Sequence, residues 1–493
     1  MRFVVPPSGG VMPPEGGTAN FDPVCFLLEI TLPALTNAMN SRLSSLSLAA
    51  FLIPAVTILV IGTGFFLRDK AVLVLGIPIG ISLVLLSWQA PRVLALVIVS
   101  LIPLGNFAGL SETMGKLTLF KLFFLPFSVL IIGFALRRFE PIPFRLLDKW
   151  IFSWVAVNIF FIISSADKGE AIGFCRRLAS LSLFYFTLTR FFYRTDRFHL
   201  LIQTVIVSTF VSVIIGIIAY LSGNDLFFSR ENLRFTGASG TGPGVYTASL
   251  FLPIWLSVSL AMSAKKFLKK TACYFFAIAM ISVIPLTLSR SGALVFIMMI
   301  PTAFIVWHKK LRPFHYGVLL AGLLIGTMFI PQSFWDRASK LGQITDVNVS
   351  DYSLWRRMNY LEVGWNILKD HPLSGVGAGN FPKFHADGKY QPEISLIGTE
   401  RLPHNMYMQV MTETGIVGSV FLAGVIISAL VTALNGLRRR DEVTDAVARG
   451  LFLTLIGILL MGMFSHTLLA KYFWLMLAFI RILAEQSSQP HPL

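Results

Sequence analysis

A chain of 493 residues with 55% hydrophobic and only 13% charged side chains lacks the polar surface of a water-soluble fold, since soluble domains carry about 25% charged residues. Its mean hydropathy of +0.72 points to lipid-facing structure, and the formal charge of +16 reads as membrane topology rather than nucleic-acid binding, because the excess cations sit in short loops between apolar runs. Three isolated cysteines, Cys25, Cys175 and Cys273, make neither a metal spacing nor a disulfide framework.

Residues 1–44, punctuated by PPSGG and MPPEGG, read as a disordered cytoplasmic segment. No basic start, apolar core and cleavage site follow one another there, so the first membrane helix is expected to act as an uncleaved insertion signal. From Ser47 to Phe66 the chain then runs without a charge. A hydrocarbon core needs about 20 such residues in a helix, and lipid leaves backbone groups no partners outside one. Apolar candidates recur at 45–66, 71–88, 92–109, 117–136, 149–165, 173–192, 199–221, 244–263, 271–288, 291–307, 314–330, 412–434, 448–469 and 472–484. The expected fold is therefore all-α, a polytopic bundle of about 12–14 transmembrane helices. In domain terms this gives a segment at 1–44, helices over 45–330, a large periplasmic loop at 331–403, C-terminal helices over 404–484 and a tail at 485–493.

Basic clusters at 137–149, 264–270, 308–313 and 437–449 are each separated by an even number of candidate helices, so all four fall on one side, the cytoplasmic one. The opposite side then receives 222–243, the tight turn at 289–290 and the long stretch 331–403. Within that stretch, YSLWRRMNYLEVGWNILKD (352–370) places Tyr352, Trp355, Tyr360, Val363 and Ile367 at mostly helical spacing, which predicts an amphipathic helix. HPLSGVGAGNFP (371–382) predicts a glycine-rich turn.

Polar groups on the outer side mark the chemistry. Arg234 stands before the glycine-rich TGASGTGPG, Arg290 lies in the LSRSG turn, Arg356 and Arg357 lie on the loop helix, and His404 precedes HNMYMQVMTETGIVG. Each has a plain structural reading: Arg290 as an interfacial anchor, Arg234 and the 356–357 pair as solvated charges, His404 as a cap, Glu413 as a partner of a helix dipole. Taken as a set they suit a diphosphate, because the planar guanidinium grips phosphate oxygens bidentately and an imidazole can accept a hydroxyl proton. His466 and Lys471, near the last outer turn, are candidates to extend the acceptor side of such a site. No carboxylate stands out as a nucleophile for double displacement, which favours inversion. There is no Walker A, HExxH or GxSxG motif.

Arg234 with its following glycines, the LSRSG turn, WRRMNYLEVGWNILKDHPLSGVGAGNF (355–381) and HNMYMQVMTETGIVGSVFL (404–422) together resemble the O-antigen ligase and O-antigen polymerase-like membrane glycosyltransferases over roughly residues 200–435. The resemblance implies a GT-C-like bundle of the bacterial inner membrane with its site facing the periplasm and needing neither metal nor other cofactor. It implies transfer of a glycan from a polyprenyl (undecaprenyl) diphosphate carrier to a hydroxyl acceptor, most directly lipid A–core. It casts Arg234 and Arg290 as diphosphate ligands and His404 as catalytic. Arg356, Arg357, Asn405, Tyr407 and Glu413 are further candidates for substrate contact. Where that family often carries Pro-Asn after the first arginine, this chain has Pro243-Gly244. The alternatives are a polymerase for O-antigen or exopolysaccharide, which differs only in its acceptor, and a flippase for lipid-linked glycans. A flippase would place charges inside helices lining a path. Here Lys121 and Arg177 alone come near that description.

Overall fold

A computed structural model describes residues 91–105, 143–193, 197–222, 228–229, 234–239, 241–308, 317, 352–437 and 442–486. The expectations for 1–44 and for the candidates at 45–66, 71–88, 117–136 and, but for residue 317, 314–330 lie outside these residues. The described chain is almost entirely helical: α1 (Pro91–Ser100), α2 (Leu146–Phe160), α3 (Lys168–Phe192), α4 (Phe198–Leu221), α5 (Pro243–Ser263), α6 (Phe267–Ser282), α7 (Arg290–Trp307), α8 (Tyr352–Asp370), α9 (Phe381–His385), α10 (Met406–Gly436), α11 (Glu442–Gly462) and α12 (Lys471–Gln486). A two-residue antiparallel ribbon, β1 (Phe228–Ser229) with β2 (Arg234–Phe235), joins α4 to α5. Six of the described helices, α4, α5, α6, α7, α10 and α11, are long and apolar enough to cross a membrane. The protein is an all-α polytopic bundle, as its composition requires.

The helices alternate in direction, and their contacts define two ends. At one end, Arg449 near the start of α11 donates to the Val306 carbonyl near the end of α7. There too, Arg92 Nε in α1 donates to the Phe191 carbonyl of α3 at 3.1 Å. The same far end holds a buried ionic knot. Arg481 of α12 donates to Asp148 of α2 at 2.8 Å and to Glu485 at 2.8 Å, while Tyr185 of α3 donates to Asp148 at 2.6 Å and Arg145 donates to Glu485 at 2.6 Å. Asp148, Arg481 and Glu485 are at most 4% exposed. Charges so deeply placed require partners on every side, and here each has them. The α5–α6 connection with Lys265 and Lys266 and the α2 entrance with Arg145 and Lys149 also lie at this end.

The heart of the bundle is α5, buried along nearly its whole length against α11 and α6. Its Phe251, Ile254 and Trp255 pack with Phe296 and Met299 of α7 and Leu453 of α11. Gly450 and Gly457 allow α11 to close on Trp255 and on Phe251 with Met299, where a Cβ would collide. Close approach of this kind is how helices associate without a hydrophobic driving force in lipid.

Several boundaries differ from the sequence reading, among them α3, which starts at Lys168, and α11, which spans Glu442–Gly462 against the 448–469 of that reading. The candidate at 92–109 is a short helix ending at Ser100, followed by turns. The candidate at 412–434 starts earlier, at Met406, because Asn405 accepts from the amides of Tyr407 and Met408, both at 3.0 Å, and so caps the helix.

The amphipathic α8 forms as its spacing predicts. Tyr360, Val363 and Ile367 point into a small separate core with Val376, Phe381 and Tyr390. Trp355 is half-buried, and the side chain of Tyr352 lies outside the described residues.

Candidate active site

The site assembles at the end opposite the ionic knot, beginning from a broken helix. Gly415 in α10 adopts φ 62 and ψ −164, a conformation essentially restricted to glycine. The glycine-rich segment 371–381 plugs this break. Val376 and Gly377 donate to the Thr412 and Glu413 carbonyls at 3.0 and 2.8 Å. In return Ile416 and Val417 donate to the Pro372 and Leu373 carbonyls at 2.8 and 3.3 Å. Backbone groups freed by the break are thus satisfied by a non-local segment, the condition for a helix break within an apolar bundle. Gly375, with φ 66, presses so closely on Glu413 and Thr412 that no side chain fits. Asn380 ties the same segment to the start of α3, accepting from Asp167 N at 3.0 Å and donating to Asp167 O at 3.2 Å.

Glu413 lies beneath this plug at 1% exposure. Its carboxylate accepts from Gln409 Nε2 at 3.3 and 3.4 Å and from the backbone amides of Gly379 and Phe381, with the Arg177 cation nearby. Asn405 is the helix cap, and Tyr407 Oη donates to the Leu459 carbonyl at 2.8 Å, pinning α10 to α11. All three side chains make contacts that hold α10 in place.

His404 precedes that cap. Its backbone lies in the left-handed region at φ 47, unusual for a residue with a Cβ, and it is solvent-exposed on one side. Its ring packs on Tyr360 of α8, 5.9 Å between centroids, and on His466 of the α11–α12 turn, 5.3 Å between centroids. Arg356 and Arg357 of α8 and Arg401 of the preceding loop all reach it electrostatically. Arg357 also lies over the Phe464 ring at 5.7 Å. Withdrawal of water by these walls pushes the His404 pKa down to about 4, with His466, Arg357, Arg356 and Arg401 adding to the shift in that order. Burial likewise lowers His466.

Arg290 is the first residue of α7, directly after the helix cap Ser289, whose hydroxyl accepts from Gly292 N at 3.2 Å. LSRSG is therefore a helix start, and Gly292 is required because Thr247 of α5 occupies the space a Cβ would need. Arg234 is half-buried on β2, which packs on the 285–287 turn leading into Arg290. The two arginines thus belong to adjoining elements. Ser212 of α4 holds the following turn, accepting from Ala238 N at 3.0 Å and donating to Pro103 O at 2.7 Å.

Gly244 links this arginine side to the histidine side. A methyl group there would lie 3.7 Å from Ser289 Oγ and 4.0 Å from Ser465 Oγ, neighbours of Arg290 and His466 respectively. The amino ends of α5, α7 and α10 meet around this point with the carboxyl end of α11, since Gly462 abuts Met406. Helix amino termini carry unpaired N–H groups and partial positive charge, which favour an anion. Among the described residues no group of three or more His, Cys, Asp or Glu side chains is arranged to ligate a metal.

Two members of this cluster were not singled out as site residues in the sequence. Arg401 stands alone in a polar loop and has no local signal, and Tyr360 announced itself only as an apolar position of α8. Tyr360 is found by its ring contact with His404, and Arg401 by its electrostatic reach to it.

No curated protein matches the chain. Residues 275–423 match the family described as O-antigen ligase (Wzy_C), a stretch that contains Arg290, Arg356, Arg357, Arg401, His404 and the plugged helix break, while Arg234 and His466 flank it. The chain is a polytopic membrane protein whose residues 275–423 are similar to the O-antigen ligase family.

Proposed function

We propose that this protein transfers a glycan from a polyprenyl diphosphate carrier to a hydroxyl of lipid A–core on the periplasmic face of the bacterial inner membrane. The observation that carries the reading is the setting of His404, an imidazole amid Arg356, Arg357 and Arg401 where the amino ends of three helices converge. The side of action follows from charge: Lys265, Lys266, Arg145 and Lys149 lie at the opposite end, which the positive-inside bias assigns to the cytoplasm.

In this mechanism Arg234 and Arg290 hold the diphosphate and stabilise the charge that develops as the glycosyl bond breaks. His404 accepts the proton of the attacking hydroxyl. Its depressed pKa keeps it neutral, and therefore basic, at pH 7 in the empty site. An arriving diphosphate offsets the surrounding cations and raises its basicity, so the base strengthens when the donor is in place. Glu413 is sealed beneath the 371–381 plug and is no nucleophile, which supports single displacement with inversion. Asn405, Tyr407 and Glu413 act by positioning α10 rather than by touching substrate.

The test is reconstitution in liposomes with a defined polyprenyl diphosphate glycan and candidate acceptors, without added metal. Glycan on lipid A–core, with inverted anomeric linkage by NMR, is the expected product. Elongated glycan still on the carrier would identify a polymerase instead. Movement of intact donor between leaflets without transfer would identify a flippase.

A further inference from the structure

We infer that His466, which lies outside the matched family stretch, is a positioning residue of the transfer site that orients the His404 imidazole through polar as well as packing contact. The inference rests on the transferase reading above.

Four observations converge on it. The two rings are neighbours, with centroids 5.3 Å apart and planes inclined at 49°. The segment bearing His466 is rigidly held. Thr467 N donates to Ser465 O at 3.1 Å, Trp474 Nε1 donates to Leu468 O at 2.9 Å, and Thr467 Oγ1 donates to Met406 Sδ at 3.5 Å, two residues from His404. Ser465 beside it faces Gly244 and so connects the histidine pair to the Arg290 helix start. Finally, His466 Nδ1 is fully enclosed with no hydrogen-bond partner among the described residues. An enclosed, unpaired imidazole nitrogen lowers stability, and a phenylalanine would fill the same space without that loss. The polar ring is retained for a reason other than packing. On this inference that reason lies with Nε2, the other nitrogen of a ring that packs on His404.

The groups facing His404 are Tyr360, Arg356 and Arg357 from α8, Arg401 from its own loop and His466 from the α11–α12 turn. Of these, His466 is the other imidazole, and burial lowers its pKa as well. A proton on one imidazole opposes a proton on the other, so His466 also helps keep the base neutral.

The experiment compares full-length wild type, His466→Phe and His466→Gln in liposomes at equal membrane abundance, with donor and acceptor as above. Phenylalanine keeps the ring volume, and glutamine keeps a polar atom near the position of Nε2. The expected result is a plateau kcat lower on the order of tenfold to a hundredfold in the Phe variant with donor KM unchanged, and recovery of most of it in the Gln variant. The acid limb of the Gln variant should lie at higher pH than wild type, because a chargeable neighbour is gone. A wild-type plateau in the Phe variant, a Gln variant no better than Phe, or an unmoved acid limb overturns the proposal. Should the Phe variant fold poorly, the Gln variant decides alone: active with a shifted limb supports the role, and inactive or unshifted removes it. His404→Ala runs alongside. Absence of transfer by the wild type defeats the transferase reading itself, activity in His404→Ala defeats the role of His404 as base, and inactivity of His404→Ala beside an unaffected His466→Phe defeats only the role of His466.

Discussion

His404 combines strained backbone, a guanidinium-rich setting and stacking rings, and each bears on what a substitution there should do. Replacing it with alanine removes the proposed base without touching the Asn405 cap, so transfer should fall by about a hundredfold to ten-thousandfold while membrane abundance stays level. Quantitative blotting beside the liposome measurement checks both halves. The pH profile follows from the same setting. A base works in its neutral form, so activity is present above its folded-state pKa and is lost as pH falls through it. With His404 pushed down to about 4 in the empty site, the acid limb of kcat/KM should lie well below the ordinary histidine value. The limb of kcat, which reports the donor-bound enzyme, should lie at higher pH because the diphosphate offsets the cations. Coincident limbs would refute that coupling. At Arg290, lysine keeps the charge but loses the planar fork. Arg290→Lys should therefore lose roughly tenfold or more in kcat/KM, matching one charge-assisted hydrogen bond of about 1.5–3 kcal/mol. Full activity would reduce Arg290 to a membrane anchor.

At the scale of elements, the plugged break in α10 holds His404 where it is. Gly415→Ala puts a Cβ into backbone space taken by Leu373 and forces a glycine-only conformation, a strain of about 1–3 kcal/mol before any collision is counted. Melting in detergent should drop, and transfer should fail together with it. The helices themselves were legible, because apolar runs of spanning length and the 3.6-residue spacing of Tyr360, Val363 and Ile367 are local properties. The break was not. A glycine inside an apolar run looks like any other, and its hydrogen-bond partners sit some forty residues earlier in the chain. The HPLSGVGAGNF and ETG stretches stood out in the sequence as motifs, yet their glycines and Glu413 serve a backbone splice.

Across the whole molecule, the bundle separates two kinds of charge. The far end neutralises its buried ions against one another, Arg481 with Asp148 and Glu485, and clamps α2, α3 and α12 together. The site end instead groups cations around an imidazole. Asp148→Ala leaves Arg481 with one carboxylate partner fewer in a buried position and should lower stability by about 3 kcal/mol or more, read as reduced detergent melting. Transfer by the protein that remains folded should be unchanged, since the knot lies at the other end.

By itself the sequence determined the solvent this protein inhabits, the helical form of its spans, the side on which basic loops collect and the residue types able to hold a diphosphate. Those follow from composition and short-range periodicity, which any unbroken stretch of chain carries. Only the tertiary structure decided which of these residues meet. Arg401, Tyr360 and His466 join His404 across separations of three to sixty-two positions, while Asn405, Tyr407 and Glu413 turn inward to hold a helix. Contacts of that kind depend on how helix ends pack, and spacing along the chain does not encode them.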